Sequence, residues 1–190
     1  MKRILLAFIL LSILKSGINQ TIKEYYIYCE PTDFQHIYQN YSENIYIPIV
    51  IKHNNITIDN ARMRIRGDGS RVHPKKSLKV KLDGETFEDN IITFNFNAEY
   101  EDKSYMQQYV VAKLFELSGH HCFKAEHVRL YLNDEFLGLY LYVENIDENF
   151  LASRNMDING NLYKAKIDGA SLSIYDNVYI IYKMTGLGKE

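Results

Sequence analysis

Two neighbouring segments of the sequence concentrate positive charge in an alternating pattern. In residues 62–66 three arginines alternate with apolar residues, and in residues 78–82 two lysines do the same. Because successive side chains of a strand point to opposite faces, each segment is predicted to be a strand with one apolar and one cationic face. If the strands pair, up to six cations share one side of the hairpin: Arg62, Arg64, Arg66, Lys75, Lys79 and Lys81.

Such a face requires something that offsets its charge. Like charges directly opposite one another destabilise a sheet by roughly 0.2–1 kcal/mol per pair. We therefore expect either carboxylates from elsewhere in the chain or a bound anion. The turn between the strands contains Gly67 and Gly69 and is followed by Ser70. Amides in a glycine-containing turn can converge on a phosphate, so this hairpin is a candidate polyphosphate site.

The simpler alternative is a solvated outer face, on which lysine and arginine discourage aggregation of sheet edges. The turn matches neither the phosphate-binding loop of nucleotide hydrolases nor the glycine loop of protein kinases. The residues alone leave both interpretations open. Elsewhere, His120, His121 and Cys122 are adjacent and have no second cluster at zinc-binding spacing, so no metal site is predicted.

The first twenty residues have the pattern of a signal peptide. Lys2 and Arg3 precede an apolar run from Ile4 to Leu11, which is short for a membrane-spanning helix. We predict that residues 1–20 are removed and that the protein is secreted or held at the cell surface, without further membrane contact. The alternative is an uncleaved anchor. The net charge of -2 gives no reason to expect binding to nucleic acid.

An exported chain could carry two covalent modifications. A disulfide between Cys29 and Cys122 is permissible in an oxidising compartment, and two unpaired cysteines are the alternative. Asn40 and Asn55 each begin an acceptor motif for N-linked sugar. They predict a glycoprotein only if the chain is made in a eukaryote.

Strand patterns dominate the rest of the chain, and one helix interrupts them. Apolar residues at helical spacing, Met106, Val110, Leu114 and Leu117, predict a helix that starts at a Ser104–Gln107 capping box and packs this stripe on a sheet. The predicted fold class is α+β, a mostly antiparallel sheet with one packed helix.

Several blocks, in this order, resemble the CotH kinase family. They comprise Met63 to Gly67 with Ser70, Pro74 to Leu82, Phe96 to Tyr100 with Asp102 to Met106, and Val128 to Asp134 followed by Gly138 to Asp147. The resemblance extends from about residue 60 to 165. It implies a protein-kinase-like fold, in which residues 45–144 form an N-lobe sheet and its helix, followed by the start of a C-lobe.

The resemblance also implies roles for individual residues. Lys79 or Lys81 would contact phosphate, Glu116 would brace that lysine, and the segment Glu144 to Ile146 would be the hinge beside adenine. The predicted nucleotide-binding residues are Arg66, Gly67, Ser70, Lys79, Lys81 and Glu144. The predicted cofactors are ATP with Mg or Mn.

The family's catalytic and metal-binding acids are expected downstream of Glu190, so no catalytic residue is assigned here. Residues 21–190 are predicted to be the truncated N-terminal portion of the domain. The chain is thus predicted to be a secreted N-lobe fragment of an atypical ATP-dependent protein kinase, inactive by itself and acting on a protein substrate when complete. The alternative is a non-catalytic secreted surface or adhesion module with a host or surface partner.

Overall fold

The computed structural model describes residues 21–84, 86–87, 91–159, 162–165 and 181–184, so the predicted signal peptide lies outside the described residues. The strands are β1 (Lys23–Tyr28), β2 (Ile47–His53), β3 (Ile56–Arg66), β4 (Ser77–Leu82), β5 (Thr93–Asn97), β6 (Ala125–Leu132), β7 (Glu135–Glu144), β8 (Leu162–Ala165) and β9 (Ile181–Met184). The helices are α1 (Pro31–Gln39), α2 (Gln107–Leu117) and α3 (Glu148–Ala152), and a 3-10 turn spans Gly69–Val72.

Seven of the described strands close into a barrel, in the order β1-β2-β3-β4-β5-β7-β6. Neighbours pair in antiparallel fashion except at the closure, where β1 runs parallel to β6 and Lys23 lies opposite Val128. The ladder register shifts between Ile49 and Ile51 and between Leu130 and Tyr131. Such irregularities bend strands and help a sheet to curve onto itself.

The barrel interior is filled by the apolar alternate positions of its strands. On β4, Leu78, Val80 and Leu82 are buried, and on β3 the buried positions include Met63 and Ile65. Aromatic rings from three other strands and one loop pack among them: Tyr25, Phe87, Phe94, Phe96 and Tyr142. The cationic alternate positions therefore face outward.

The predicted fold class is wrong: the described chain is a closed mixed barrel, not a kinase-like α+β sheet covered by a helix. The alternation within each strand is as predicted. Alternation along a strand indicates which side chains share a face. It does not indicate whether β1 pairs with a second strand along its other edge. That pairing joins β1 to β6, which lie far apart in the sequence.

The predicted buried stripe of the helix is also wrong. Met106, Val110, Leu114 and Leu117 are all exposed, with Leu117 at 83%. The helix packs on the outer face of β6 and β7 through Ala112, assisted by Tyr109.

The start of this helix differs as well. It begins at Gln107, whose amide donates to Asp102 Oδ2 at 2.8 Å, and Asp102 Oδ1 accepts from both the amide and the hydroxyl of Ser104. Met106 occupies the cap position without a side-chain cap hydrogen bond, and Asp102, rather than the predicted pair of Ser104 and Gln107, accepts from the first helical amide. These hydrogen bonds also lower the pKa of Asp102, with the one from the Ser104 side chain contributing most.

The two cysteines are free thiols of intermediate exposure. The first strand does run beside β6, but in parallel, so the cysteines lie at opposite ends of this pair. Cys29 contacts Asn133 just beyond the end of β6, whereas Cys122 precedes its start at Ala125. The eight residues of β6 span roughly 26 Å, which excludes a disulfide in this fold.

Among the described residues, no helix is long and apolar enough to cross a membrane.

Candidate functional site

The basic hairpin predicted from the sequence is present as β3 and β4. The register places Arg62 opposite Lys81 and Arg64 opposite Lys79, with Arg66 opposite Ser77. Five cations therefore occupy adjacent positions on the outer face of the barrel. We refer to Arg62, Arg64, Arg66, Lys79 and Lys81 as the basic face.

Part of the charge on the basic face is offset by the protein itself. Arg62 Nε lies 3.2 Å from Asp83 Oδ2. The guanidinium carbons of Arg62 and Arg64 lie 5.1 and 5.5 Å from the centroid of the Tyr46 ring. Lys81 Nζ lies 5.7 Å from the same centroid. Arg64 also donates to Asn44 Oδ1 at 3.0 Å. One carboxylate, which the sequence analysis expected, and one aromatic ring thus offset part of the positive charge of the basic face.

Arg66 differs from the other arginines of the basic face. Its Nη1 donates to Asn97 Oδ1, and it forms no salt bridge with any acid of the described residues. Burial, followed by repulsion from Arg64, lowers the pKa of Arg66 to about 10. A partly buried guanidinium without a carboxylate is costly, and a bound anion would reduce that cost.

A cleft of about 560 Å³ opens over this part of the barrel. It runs across the strands: Lys79 lies opposite Asn95 on β5, and Asn95 lies opposite Val143 on β7. Cations line one side: Arg62, Arg66, Lys79 and Lys81. Near the end of β7, Phe123, Val143 and Ile146 form what we refer to as the apolar side of the cleft. Leu82, Ile92 and Leu162 also line the cleft, as do four acids: Asp83, Glu144, Asp147 and Glu148.

The far wall of the cleft is held by a chain of polar contacts. Buried Asn95 donates to Asn145 Oδ1 at 3.3 Å, and Asn145 donates to Asp147 Oδ2 at 2.7 Å. Asp147 Oδ1 in turn accepts from the amides of Asn149 and Phe150 and caps α3. Glu144 ends β7 at this wall, and its carboxylate pairs with Arg154 rather than pointing freely into the cleft.

The structure brings together four of the six predicted nucleotide-binding residues, Arg66, Lys79, Lys81 and Glu144, in this cleft. Gly67 and Ser70 lie beside it, in a neighbouring cleft of about 400 Å³ that Arg66 also lines. Gly67 has φ +113°, and a Cβ there would lie 2.3 Å from Ser70 Oγ, so this turn requires glycine.

The glycine turn is held by hydrogen bonds to the loop that precedes β2. Arg71 Nε donates to the Gly67 carbonyl at 2.6 Å, and its guanidinium also donates to the carbonyls of Ser42 and Glu43 at 3.0 and 3.1 Å. Lys76 is buried, donates to the Arg71 carbonyl and lies 4.1 Å from the centroid of the Tyr41 ring. These contacts give the turn a fixed position.

Lys75 is not part of the basic face, contrary to the sequence prediction. Its ammonium group donates to the carbonyls of Ala98, at 2.9 Å, and Leu139, and lies 4.3 Å from the centroid of the Tyr140 ring. Burial lowers the pKa of Lys75 to about 8. Lys75 therefore links the entry of β4 to the end of β5 and to β7.

The helix does not provide the expected brace for a strand lysine. Glu116 is exposed and accepts from Lys113 Nζ on the same helix at 2.7 Å. This contact lowers the pKa of Glu116 and raises the pKa of Lys113. Across the described part of the chain, no three His, Cys, Asp or Glu side chains are grouped to hold a metal ion.

Several residues of the site were missed by the sequence analysis. The alternation of β5 could have indicated that Asn95 and Asn97 face outward beside the basic face. Nothing local marks Tyr46, Asp83 or Arg154, because each acts on a residue of another segment: Tyr46 and Asp83 on Arg62, and Arg154 on Glu144.

Comparison with known proteins agrees with this arrangement of sequence blocks. A family model described as CotH kinase protein matches residues 63–183. The chain is 28% identical over 155 residues to the inner spore coat protein H of Bacillus subtilis (strain 168), a match that covers 81% of this chain. The match spans 42% of the length of that relative. The chain therefore belongs to the CotH kinase family.

Proposed function

We propose that the cleft over the basic face is the nucleotide site of a CotH-type, ATP-dependent protein kinase, with the polyphosphate on the cationic side. The observation that carries this proposal is Arg66, which faces the cleft without a salt bridge to any described acid. Lys79 and Lys81 line the same side. Phosphate oxygens would supply the negative charge that Arg66 lacks.

The rest of the cleft suits a nucleoside. Its volume of about 560 Å³ lies within the usual range of small-molecule sites, roughly 300–1,000 Å³. Phe123, Val143 and Ile146 offer apolar surface for a base, next to the hinge segment predicted from the sequence. The residues present fit the phosphates. The Mg or Mn part of the proposal rests on family membership alone, since the described residues group no acids for a metal.

We also propose that the protein acts outside the cytoplasm. The relative from Bacillus subtilis is named as a spore coat protein, and the first twenty residues have the pattern of a signal peptide. Both observations support a location in a coat, at a surface or in the medium. N-terminal sequencing of exported material should begin near residue 18–21, and a retained Met1 would contradict removal of the segment.

The nucleotide proposal is tested by calorimetric titration of the 190-residue chain with ATP and Mg. Charge-assisted contacts to phosphate are worth about 1.5–3 kcal/mol each, so losing one should weaken binding roughly ten- to a hundredfold. We expect this loss for Arg66→Gln and for at least one of Lys79→Ala and Lys81→Ala. Lys103→Ala, on an exposed loop outside the cleft, is the matched control.

Each variant must keep the melting temperature of the parent chain for the comparison to hold. If the parent binds no ATP, or if the cleft variants behave like Lys103→Ala, the basic face is a solvated surface. A non-catalytic surface module would then be the better description of the protein.

If the chain is made in a eukaryotic secretory pathway, we propose that sugar is attached at Asn55 and not at Asn40. Asn55 is exposed in the turn between β2 and β3. The amide nitrogen of Asn40 donates to the His36 carbonyl at 2.9 Å, at the end of α1. Secretion from yeast should give a product that an N-glycosidase shortens, and Asn55→Gln but not Asn40→Gln should abolish the shift.

A further inference from the structure

Arg154 joins three segments of the chain behind the apolar side of the cleft. Its guanidinium forms a two-pronged pair with Glu144, Nη1 to Oε1 at 3.0 Å and Nη2 to Oε2 at 2.7 Å. Nη2 also donates to the Cys122 carbonyl at 2.6 Å, and Nη1 to the Phe150 carbonyl at 3.0 Å. The guanidinium carbon lies 3.7 Å from the centroid of the Phe150 ring.

This arrangement is largely shielded from solvent. The side chains of Arg154 and Glu144 are 12% and 14% exposed. Glu144 Oε2 accepts a further hydrogen bond from the Lys124 amide at 2.8 Å. A charge pair held by this many directed hydrogen bonds has one favoured geometry, and removal of either partner leaves the other uncompensated.

Two of the segments that Arg154 joins, those of Cys122 and Glu144, carry the apolar side of the cleft, and the third contributes Glu148 and Asn149 from α3. Glu144 lines the cleft together with Asn145 and Ile146, which follow it. Phe123, which follows Cys122, lines the cleft as well. Arg154 itself does not line it. Its contacts set the spacing between Phe123 on one side and the Glu144 to Ile146 segment on the other.

We infer that Arg154 is a positioning residue for recognition of the nucleoside, as distinct from the phosphates. The inference rests on the proposed nucleotide site and assigns the phosphates and the nucleoside to different groups of residues. The basic face binds the polyphosphate, and the Arg154–Glu144 pair fixes Phe123 relative to the Glu144 to Ile146 segment, so that the apolar side keeps one shape for a flat base. The pair does this without touching the ligand.

The test compares two ligands on the same chain: ATP, and inorganic tripolyphosphate, which lacks the nucleoside. Arg154→Lys keeps the positive charge but cannot reproduce the planar two-pronged contact. We expect it to weaken ATP binding about tenfold or more, while tripolyphosphate binding stays within about twofold of the parent. Arg129→Lys is the matched control, since Arg129 forms an exposed ion pair with Glu24 at 3.2 Å on the other side of the barrel.

Arg66→Gln should give the opposite pattern, because loss of a phosphate contact should weaken the binding of both ATP and tripolyphosphate. If Arg154→Lys does not fold, as judged by its melting curve, Glu144→Asp shortens the other partner and should separate the two ligands in the same way. Equal loss of both ligands, or no loss of either, would overturn the positioning role. If the parent chain binds neither ligand, the proposed nucleotide site fails, and the inference fails with it.

Discussion

The β3–β4 hairpin and helix α2 were both predicted from a periodic apolar pattern, yet only the hairpin places its apolar residues inside. Leu78 and Val80 are buried to 1% and 0% exposure, whereas Leu114 and Leu117 on the helix remain 59% and 83% exposed. On a closed barrel every strand has one inward face, so alternation alone selects the buried side. A helix on the outside contacts the barrel along a narrow line, and here that line is made by small Ala112.

This difference shows what an apolar stripe does and does not indicate. A stripe on a helix indicates that some partner is expected, but it does not say that the partner is the nearest sheet. The short side chain of Ala112 permits close contact with Ala125, Leu141 and Val143 on the barrel wall. The larger apolar side chains are left on the opposite side of α2.

The largest effect is expected on stability, when a leucine of the β3–β4 hairpin and a leucine of helix α2 are each replaced by alanine. Leu78→Ala removes a fully buried side chain and should lower the free energy of unfolding by about 2–5 kcal/mol. Leu114→Ala should change it by no more than about 0.5 kcal/mol, because that side chain is mostly exposed. Urea denaturation of both variants measures the difference.

A second pair on the helix serves as the control for its orientation. Ala112→Leu enlarges the buried contact and should cost about 1–3 kcal/mol, whereas Val111→Leu, on the exposed side, should be nearly neutral. If Leu114→Ala proves as costly as Leu78→Ala, the helix packs on the face that the sequence pattern first indicated.

A smaller effect on stability is expected from a change of pH. Lys75, just before β4, and Lys113, in α2, have pKa values that are shifted in opposite directions. Burial lowers the pKa of Lys75 from 10.5 to about 8, and the hydrogen bond with Glu116 raises the pKa of Lys113. Between about pH 8 and 10.5 the folded chain therefore holds fewer protons at Lys75 than the unfolded chain does. The free energy of unfolding should rise with pH through this window.

The contribution of Lys75 is isolated by the variant Lys75→Met. Comparing urea midpoints at about pH 7.5 and about pH 9.5, the parent chain should gain stability relative to Lys75→Met. Lys113→Met keeps Lys75 and should show the same gain as the parent chain, because a raised pKa leaves Lys113 charged in both the folded and the unfolded state across this range. Identical pH dependence in the parent and Lys75→Met would show that the lysine is solvated as an ordinary surface group.

Local patterns in the sequence predicted more of the site than of the architecture. The alternation at 62–66 and 78–82 was sufficient to predict the pairing of β3 with β4 and the shared cationic face. It could not reveal Asp83 and Tyr46 as partners of Arg62, nor that Lys75 turns away to the Ala98 and Leu139 carbonyls. These contacts depend on how separate segments meet, and so does the placement of Arg154 behind Glu144.

The parallel closure of the barrel has a consequence for how the chain reaches its folded state. Lys23 pairs with Val128, so the first strand gains its second neighbour only after more than a hundred further residues exist. At typical rates of synthesis that interval is roughly 5–20 s, during which one edge of β1 remains without its final partner. Contacts of such long sequence separation slow folding, because the entropy of the large loop is lost before the closing ladder forms. The nascent chain thus carries an unpaired, aggregation-prone edge throughout this interval, and a holding chaperone would have its greatest effect before β6 emerges.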